Sequence, residues 1–345
     1  MLPLPDGGPG TAQAVPADRI DSRTVLQAAG PLGQVREIDL LRLRSAASPC
    51  AGTTGATWLL DAARLVGLPA DRDEAAREAE TGTTTGLGRA LAAALNAIAP
   101  GDTLIATLAS AAVHDGGAGA LEGLGGLAAA RSSLGGRELV LALADDTPLG
   151  GVSGAGQNLT AVTTLTGERA QDLNRQACAA ASSIASQVAV PRSATLPVVG
   201  GEPAQTLSAT SRGTGAGGGA ALALRALGAR TLPATRVMAR LLELDEAVAG
   251  QDLVVTATGE AYDVVADSVT AVVGEAAGNL ALPTVLVAGR LAVPRGELAE
   301  AGVVSAYSLE ALGAVRNETW NDGGAPALRE RLVAAGARLA RTWSR

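Results

Sequence analysis

The chain has 345 residues, a formal net charge of -7 and an apolar share of 47%. This length predicts two domains, and the negative charge disfavours nucleic acid and anionic lipid as partners, since both are bound through basic side chains. All 27 basic residues are arginines, so chemistry that needs a lysine is excluded, and two cysteines and one histidine are too few for a disulfide scaffold or a conventional zinc site. The longest largely apolar run, residues 104–113, is about half of the roughly 20 residues that span a bilayer. We also expect no export signal, since a basic segment followed by an apolar one is not seen at the start. We therefore expect a cytoplasmic protein.

The predicted elements alternate along the chain, because short runs rich in leucine and valine are separated by helical patterns. Strands are predicted over residues 103–109, 138–144, 252–256, 284–288 and 303–306. Helices are predicted over residues 171–187, 236–247 and 326–343, the last two from apolar residues at three- and four-residue spacing. The proline-rich stretch 191–205 is predicted to be a long connection or an edge strand. The pattern predicts an α/β fold.

Glycine clusters occur at four places, residues 6–11, 114–119, 147–151 and 213–219. Glycine lets backbone N–H groups approach a phosphate or carboxylate closely, and a following helix N-terminus adds its dipole. Any one cluster is also explained as a tight turn without a ligand. Four clusters in one chain favour a binding site for a small anionic ligand.

The most informative cluster follows the predicted strand 103–109. Asp115 stands directly before Gly116 and Gly117, where we expect the carboxyl end of a parallel strand, the edge at which such sheets bind ligands. An N-cap of the next helix is the alternative role for Asp115. His114 is the only histidine, and a structural hydrogen bond is the alternative to a role as a base.

A dinucleotide site is a further alternative, because Gly213, Gly215 and Gly218 satisfy the spacing GxGxxG. The pattern is weak here. The preceding residues 207–210 make a doubtful strand, and no suitable acidic residue follows about 20 positions later.

Taken in order, these segments resemble the type 1 glycerate kinase family. Residues 6–11 (DGGPGT) are similar to its ADGGEGT, residues 30–33 to its GPLG, residues 83–91 to the region around SRGTGEL, and residues 110–119 (SAAVHDGGAG) to GSATNDGGAG. Further on, residues 147–149 and 154–155 are similar to NPL and GAS, residues 214–222 to the GAGAAGG loop, and residues 252–263 to DLVITGEGRID. The order of the segments holds over nearly the whole chain, which is far more specific than any one of them.

The resemblance implies an ATP-dependent kinase that phosphorylates D-glycerate, or a similar small hydroxy acid, with ATP and Mg²⁺ as cofactors. It also implies two α/β domains. Residues 1–30 together with 245–345 would form a Rossmann-like domain with a mainly parallel sheet, residues 31–244 an inserted middle domain, and the ligand would lie in a cleft between the two.

The resemblance further implies roles for particular residues. Asp115 would orient or deprotonate the substrate hydroxyl, and Glu260 and Asp263 would be catalytic by holding Mg²⁺. Contacts to substrate or phosphate would come from Asp6, Gly7, Gly8, Ser110, His114, Gly116, Gly117, Arg212, Gly213, Gly215, Gly217 and Gly218.

Several family positions differ in this chain. His114 stands where the family has asparagine, Leu87 or Gly88 where it has an acidic residue, and lysines of the family are missing. Because phosphoryl transfer depends on positioning and charge stabilisation, these changes leave open a non-catalytic homologue that binds a small organic acid or a nucleotide in a sensing or scaffolding role. Arg212 and Arg89 are the side chains that would replace part of the lost charge.

Overall fold

The computed structural model describes residues 1–44, 55–188, 207–312 and 319–344. It contains two compact units, a larger unit over Pro5–Leu241 and a C-terminal unit formed by Leu242–Arg345 with Met1–Leu4. Each unit has its own sheet flanked by helices, so the α/β class is confirmed. The predicted connection 191–205 lies outside the described residues.

The larger unit is built on a six-stranded mixed sheet whose strands follow one another in chain order. The strands are β1 (Ile20–Ala29), β2 (Val35–Leu43), β3 (Thr57–Leu60), β4 (Thr103–Leu108), β5 (Glu138–Leu143) and β6 (Arg230–Pro233). The first three pair antiparallel, whereas β3 to β6 pair parallel. The carboxyl ends of four strands therefore lie at one edge of this sheet.

Helices pack small and branched apolar side chains against this sheet. They are α1 (Thr11–Ala14), α2 (Ala63–Val66), α3 (Arg72–Thr81), α4 (Thr85–Ala97), α5 (Ala118–Gly123), α6 (Gly126–Leu134), α7 (Ala155–Val162), α8 (Gly167–Val188), α9 (Ala220–Ala226) and α10 (Ala234–Leu241). The central strand β4 is buried along its whole length, and α4 buries Leu87, Leu91 and Leu95 at helical spacing. Each such leucine contributes about 1.5–3 kcal/mol by leaving water.

The C-terminal unit contains a three-stranded parallel sheet, in the order β7 (Val254–Ala261), β8 (Thr284–Leu291), β9 (Val303–Ser308). Its helices are α11 (Leu244–Val248), α12 (Val269–Gly278), α13 (Arg295–Glu300), α14 (Leu309–Leu312) and α15 (Gly324–Trp343). Leu286 and Ala288 of β8 are fully buried in its core. Across the described residues, every helix is too short or too polar to cross a bilayer.

Two sequence expectations differ from the structure. The helix predicted over 236–247 is two helices, α10 and α11, because the chain turns at Glu243, whose φ of 55° lies in the left-handed region. Residues 5–30, expected beside the C-terminal segment, belong to the larger unit, where β1 pairs along its length with β2. The unit boundaries therefore follow this strand pairing.

Candidate functional site

The carboxyl edge of the larger unit's sheet gathers segments that are far apart in the sequence. We use this name for the residues that follow β3 to β6, namely Asp61, residues 109–117, residues 144–148 and Ala234. The turn 6–11 lies at the same edge, since a Cβ placed on Gly7 would come within 3.6 Å of the Ala144 nitrogen. Parallel α/β sheets bind their ligands at this edge.

The turn 6–11 is held in a defined shape by its own hydrogen bonds. The exposed Asp6 accepts a bond from Gly8 N through Oδ1 at 2.9 Å, and the Thr11 hydroxyl donates to the Gly8 carbonyl at 2.7 Å. Gly7 has a φ of 92°, and a side chain there would overlap the Cβ of Ala234. The turn consequently needs glycine both for its backbone angle and for its close approach to α10.

Asp115, the predicted catalytic residue, lies after β4 and acts as a hydrogen-bond acceptor for two helix starts. Its carboxylate accepts bonds from the Thr84 N–H at 2.7 Å and the Thr84 hydroxyl at 2.9 Å, just before α4. It also accepts bonds from the N–H groups of Gly117 at 2.9 Å and Gly119 at 3.2 Å, at the start of α5. The Thr84 hydroxyl in turn accepts a bond from Ala120 N at 2.8 Å. This geometry corresponds to the capping role considered for Asp115 and engages both carboxylate oxygens.

His114 is buried beside this carboxylate, with 4% of its surface exposed. Its Nε2 lies 3.3 Å from Oδ1 of Asn174, and among the described residues Nδ1 has no hydrogen-bond partner. Burial lowers the pKa of the imidazole, opposed by the bond to Asn174 and the charge of Asp115. His114 is therefore neutral at pH 7 and does not supply a positive charge to the edge.

Two acidic side chains after β5 complete the edge. Asp145 accepts a hydrogen bond from the Ser110 hydroxyl at 2.8 Å, which joins the ends of β4 and β5. Asp146 forms an ion pair with Arg212 at 2.5 Å, and both side chains are largely exposed. Sequence reasoning selected Ser110 and Arg212 but missed both acidic partners. The signal was available, because Asp145 and Asp146 follow a predicted strand directly, as Ser110 does.

The glycine loop 213–219 connects the strand-end segments to one another. Gly215 N donates to Thr147 O at 3.0 Å, and Gly217 N donates to Ala109 O at 3.0 Å. In the other direction, Gly116 N donates to Gly218 O at 3.0 Å. These backbone N–H groups bind carbonyls of the neighbouring loops, so the structure shows them holding the edge together.

The same loop does not have the geometry of a dinucleotide fingerprint. Residues 207–212 before it form turns and irregular backbone, whereas that fingerprint requires a strand leading into the glycines.

Glu260 and Asp263, the predicted magnesium ligands, lie at and beyond the carboxyl end of β7 in the C-terminal unit. Glu260 accepts hydrogen bonds from Trp320 Nε1 at 3.3 Å and from the Tyr262 hydroxyl at 2.9 Å, and Asp263 is exposed. In the part of the chain that the structure describes, no three His, Cys, Asp or Glu side chains lie close enough together to hold a metal. Both carboxylate oxygens of Glu260 accept hydrogen bonds from neighbouring side chains, so binding of Mg²⁺ by these two residues stays a prediction.

A polar network that the sequence did not predict surrounds Glu260. Arg290 donates to Glu310 at 3.2 Å and to the Tyr262 hydroxyl at 3.2 Å. The hydrogen bond from Arg290 lowers the pKa of Glu310 and keeps it ionised. The indole of Trp320 covers Gly259 and Gly289, which leave room for the ring.

A family model described as the glycerate kinase family matches residues 1–141 and 127–344. The chain belongs to the glycerate kinase family. Two relatives, the uncharacterized proteins Mb2228c of Mycobacterium bovis and MT2261 of Mycobacterium tuberculosis, are each 29% identical over 328 residues, which cover 92% of this chain and 76% of the relative.

A solved structure shares the fold of this glycerate kinase family member. The crystal structure of "putative glycerate kinase 2" from Salmonella typhimurium matches with a TM-score of 0.63 and 22% identity, over 99% of this chain and 89% of that chain. The likeness extends over both units and supports the α/β architecture.

Proposed function

We propose that this chain transfers the γ-phosphoryl group of ATP to a hydroxyl of a small hydroxy acid, with D-glycerate as the substrate. Membership of the glycerate kinase family supports this reaction class. The observation that carries the proposal is the carboxyl edge itself, where the Ser110–Asp145 and Arg212–Asp146 pairs lie among glycine turns at the ends of parallel strands.

The exposed polar groups of this edge suit an acid substrate. Arg212 is an exposed cation held beside the glycine loop by Asp146 and is the proposed contact for a carboxylate or phosphate. The Ser110 hydroxyl and the turn at Asp6, Gly7 and Gly8 are proposed to fix the substrate by hydrogen bonds. Phosphoryl transfer needs little covalent chemistry from the protein, so positioning the substrate is the main contribution that these residues make.

Asp115 is proposed to orient the site. Its oxygens accept hydrogen bonds from the starts of α4 and α5, which favours holding the Gly116–Gly117 turn in place over removal of a proton from the substrate.

The two carboxylates of the C-terminal unit, Glu260 and Asp263, are the proposed ligands of Mg²⁺ together with phosphate oxygens. When bound, ATP would supply the phosphoryl group, and Mg²⁺ would neutralise part of the charge on the phosphates.

A non-catalytic member of the family that binds a small acid or a nucleotide is the second candidate. The engaged oxygens of Asp115 and the absence of lysine from the sequence favour it. The two candidates share the same edge and differ in turnover.

Turnover is tested with purified chain, Mg-ATP and D-glycerate, by measuring ADP release and phosphoglycerate by mass spectrometry. We expect phosphoglycerate formation that EDTA abolishes and that, at substrate concentrations well below KM, falls about fivefold to tenfold in Arg212→Gln. Arg230→Gln is the matched control, because Arg230 pairs with Glu138 at the opposite edge of the sheet. Absence of phosphoglycerate above a blank without protein contradicts the kinase proposal. Calorimetric binding of D-glycerate or ATP in that case supports the non-catalytic candidate.

A further inference from the structure

Asp61 is a buried carboxylate to which the sequence and the family resemblance gave no role. It directly follows β3, and none of its side chain is exposed to solvent. An ionised carboxylate is retained in such a place only when hydrogen bonds compensate for the lost water. The donors around Asp61 therefore indicate what it does.

The donors come from the turn at the start of the larger unit. Asp61 Oδ2 accepts hydrogen bonds from the N–H of Gly10 at 3.1 Å and the N–H of Ala12 at 3.2 Å, residues 51 and 49 positions away. These are N–H groups at the start of α1, whose own N-cap, Gly10, has no side chain to satisfy them. Asp61 thus caps α1 from a different segment of the chain.

The other side of the carboxylate is fixed to the sheet. The hydroxyl of Thr107, which is also fully buried, lies 3.4 Å from Asp61 Oδ1 and accepts a bond from Ala63 N at 3.3 Å. Burial raises the pKa of Asp61, while the bonds from the turn and from Thr107 oppose this shift. Asp61 is consequently held between β4 and the turn.

Two close packing contacts also hold the turn in place. Pro9 lies against Gly67, where an added Cβ would come within 2.6 Å of the proline ring, and Gly7 lies against Ala234. These are apolar contacts, whereas Asp61 supplies bonds that specify which N–H groups face the sheet. We propose that Asp61 is a positioning residue that fixes the turn Asp6–Thr11 at the carboxyl edge and thereby places Asp6, Gly7 and Gly8 for the substrate acid. The part of this proposal that concerns substrate rests on the proposed function; the part that concerns the turn does not.

Hydrogen exchange measured by mass spectrometry tests the turn without any assay of activity. In Asp61→Ala we expect the peptide 5–14 to exchange at least tenfold faster than in the unsubstituted chain, with the peptide over β4 unchanged within twofold. Asp61→Asn keeps one acceptor oxygen but loses the negative charge that strengthens the two bonds to Oδ2, so its peptide 5–14 should exchange at an intermediate rate. If Asp61→Ala does not fold, Asp61→Asn alone decides, with an expected increase of at least threefold.

Asp102→Asn is the matched control, because Asp102 is another buried carboxylate that accepts two backbone N–H groups, from Ala56 at 2.8 Å and Ala99 at 3.1 Å. Its substitution should leave the hydrogen-exchange rate of the peptide 5–14 unchanged. Wild-type exchange of that peptide in the Asp61 variants, or equal acceleration by Asp102→Asn, would overturn the proposal.

Steady-state kinetics then separates positioning from general stability. We expect Asp61→Asn to raise KM for D-glycerate at least fivefold with kcat within twofold, and Asp102→Asn to change neither. An unchanged KM with faster exchange of the turn would remove the substrate part of the inference. If the chain does not phosphorylate D-glycerate, the kinase proposal fails, while the exchange result still decides the role of Asp61.

Discussion

The two edges of the six-stranded sheet use carboxylates in the same way and differ in what they leave exposed. At the amino edge, before β4, Asp102 is buried and accepts bonds from Ala56 N and Trp58 Nε1. At the carboxyl edge, Asp61 and Asp115 accept bonds from backbone N–H groups in the same manner. A carboxylate that receives backbone donors is therefore not in itself a sign of catalysis.

At the carboxyl edge, exposed polar groups lie among glycines with positive φ that approach backbone closely. Gly116 has a φ of 67°, and a Cβ there would overlap the carbonyl of Ala177. Gly101, at the amino edge, has a φ of 91° but nothing within 4 Å of an added Cβ. Gly101 therefore serves the backbone angle alone, whereas Gly116 also permits two segments to meet.

Replacing these two glycines should give the largest difference between the edges. We expect Gly116→Ala to lower the free energy of unfolding by about 3 kcal/mol, because it adds a backbone clash to the unfavourable φ. Gly101→Ala should cost about 1 kcal/mol, since only the backbone angle is unfavourable. Urea unfolding of both variants checks this, and equal losses would show that the close approach at Gly116 is not real.

Removing one carboxylate at each edge should lower stability equally but lower activity only at the carboxyl edge. Asp115→Ala and Asp102→Ala should each lower the unfolding free energy by about 2–3 kcal/mol, because each leaves buried donors without an acceptor. Phosphoglycerate formation, measured well below the unfolding temperature, should fall at least tenfold only in Asp115→Ala. A similar loss in both variants would mean that Asp115 acts only through stability.

Substituting the arginine of the exposed ion pair at each edge should affect activity at the carboxyl edge alone and stability at neither edge. Arg212→Gln should raise KM for D-glycerate or ATP about fivefold to tenfold, and Arg230→Gln should leave both values unchanged. Because surface ion pairs contribute little to folding, neither substitution should shift the urea midpoint. An effect of Arg230→Gln on KM would remove the distinction between the edges.

The smallest expected effect is a dependence of stability on pH at His114. Because burial lowers the pKa of this imidazole from its ordinary value of 6.5, the unfolded chain takes up the proton first as pH falls. The contribution of His114 to stability is therefore complete above about pH 6.5 and is lost as the pH falls below that value. His114→Asn should flatten the fall in urea midpoint between pH 7 and 5.5, and an unchanged slope would show that the imidazole is solvated.

Within the described residues, the sequence predicted β4, β5, β7, β8 and β9, and its limits are closest for β4 and β5, which are buried almost throughout. β4 and β5 are continuous apolar runs, and their predicted limits agree with the structure within one residue. β1, β2, β3 and β6 were missed; β1 is mostly exposed and carries polar residues without a regular alternation. The break at Glu243 was missed because nothing in a helical pattern signals a left-handed residue.

The candidate site was only partly predictable for a related reason. Glycine clusters and Asp115 are visible as local patterns, so the sequence located the loops of the edge. Their partners are not local, since Thr84 lies 31 positions from Asp115 and Gly10 lies 51 positions from Asp61. Only the order and direction of the strands bring these residues together.

The central claim is that the carboxyl edge, and not the amino edge, recognises the substrate acid. A backbone-amide NMR titration with D-glycerate tests it most directly. The account predicts shift changes concentrated at Gly7, Gly8, Ser110 and Asp145, with the amides of Asp102 and Glu138 unmoved. Changes centred on the amino edge, or no changes at millimolar D-glycerate, would contradict it.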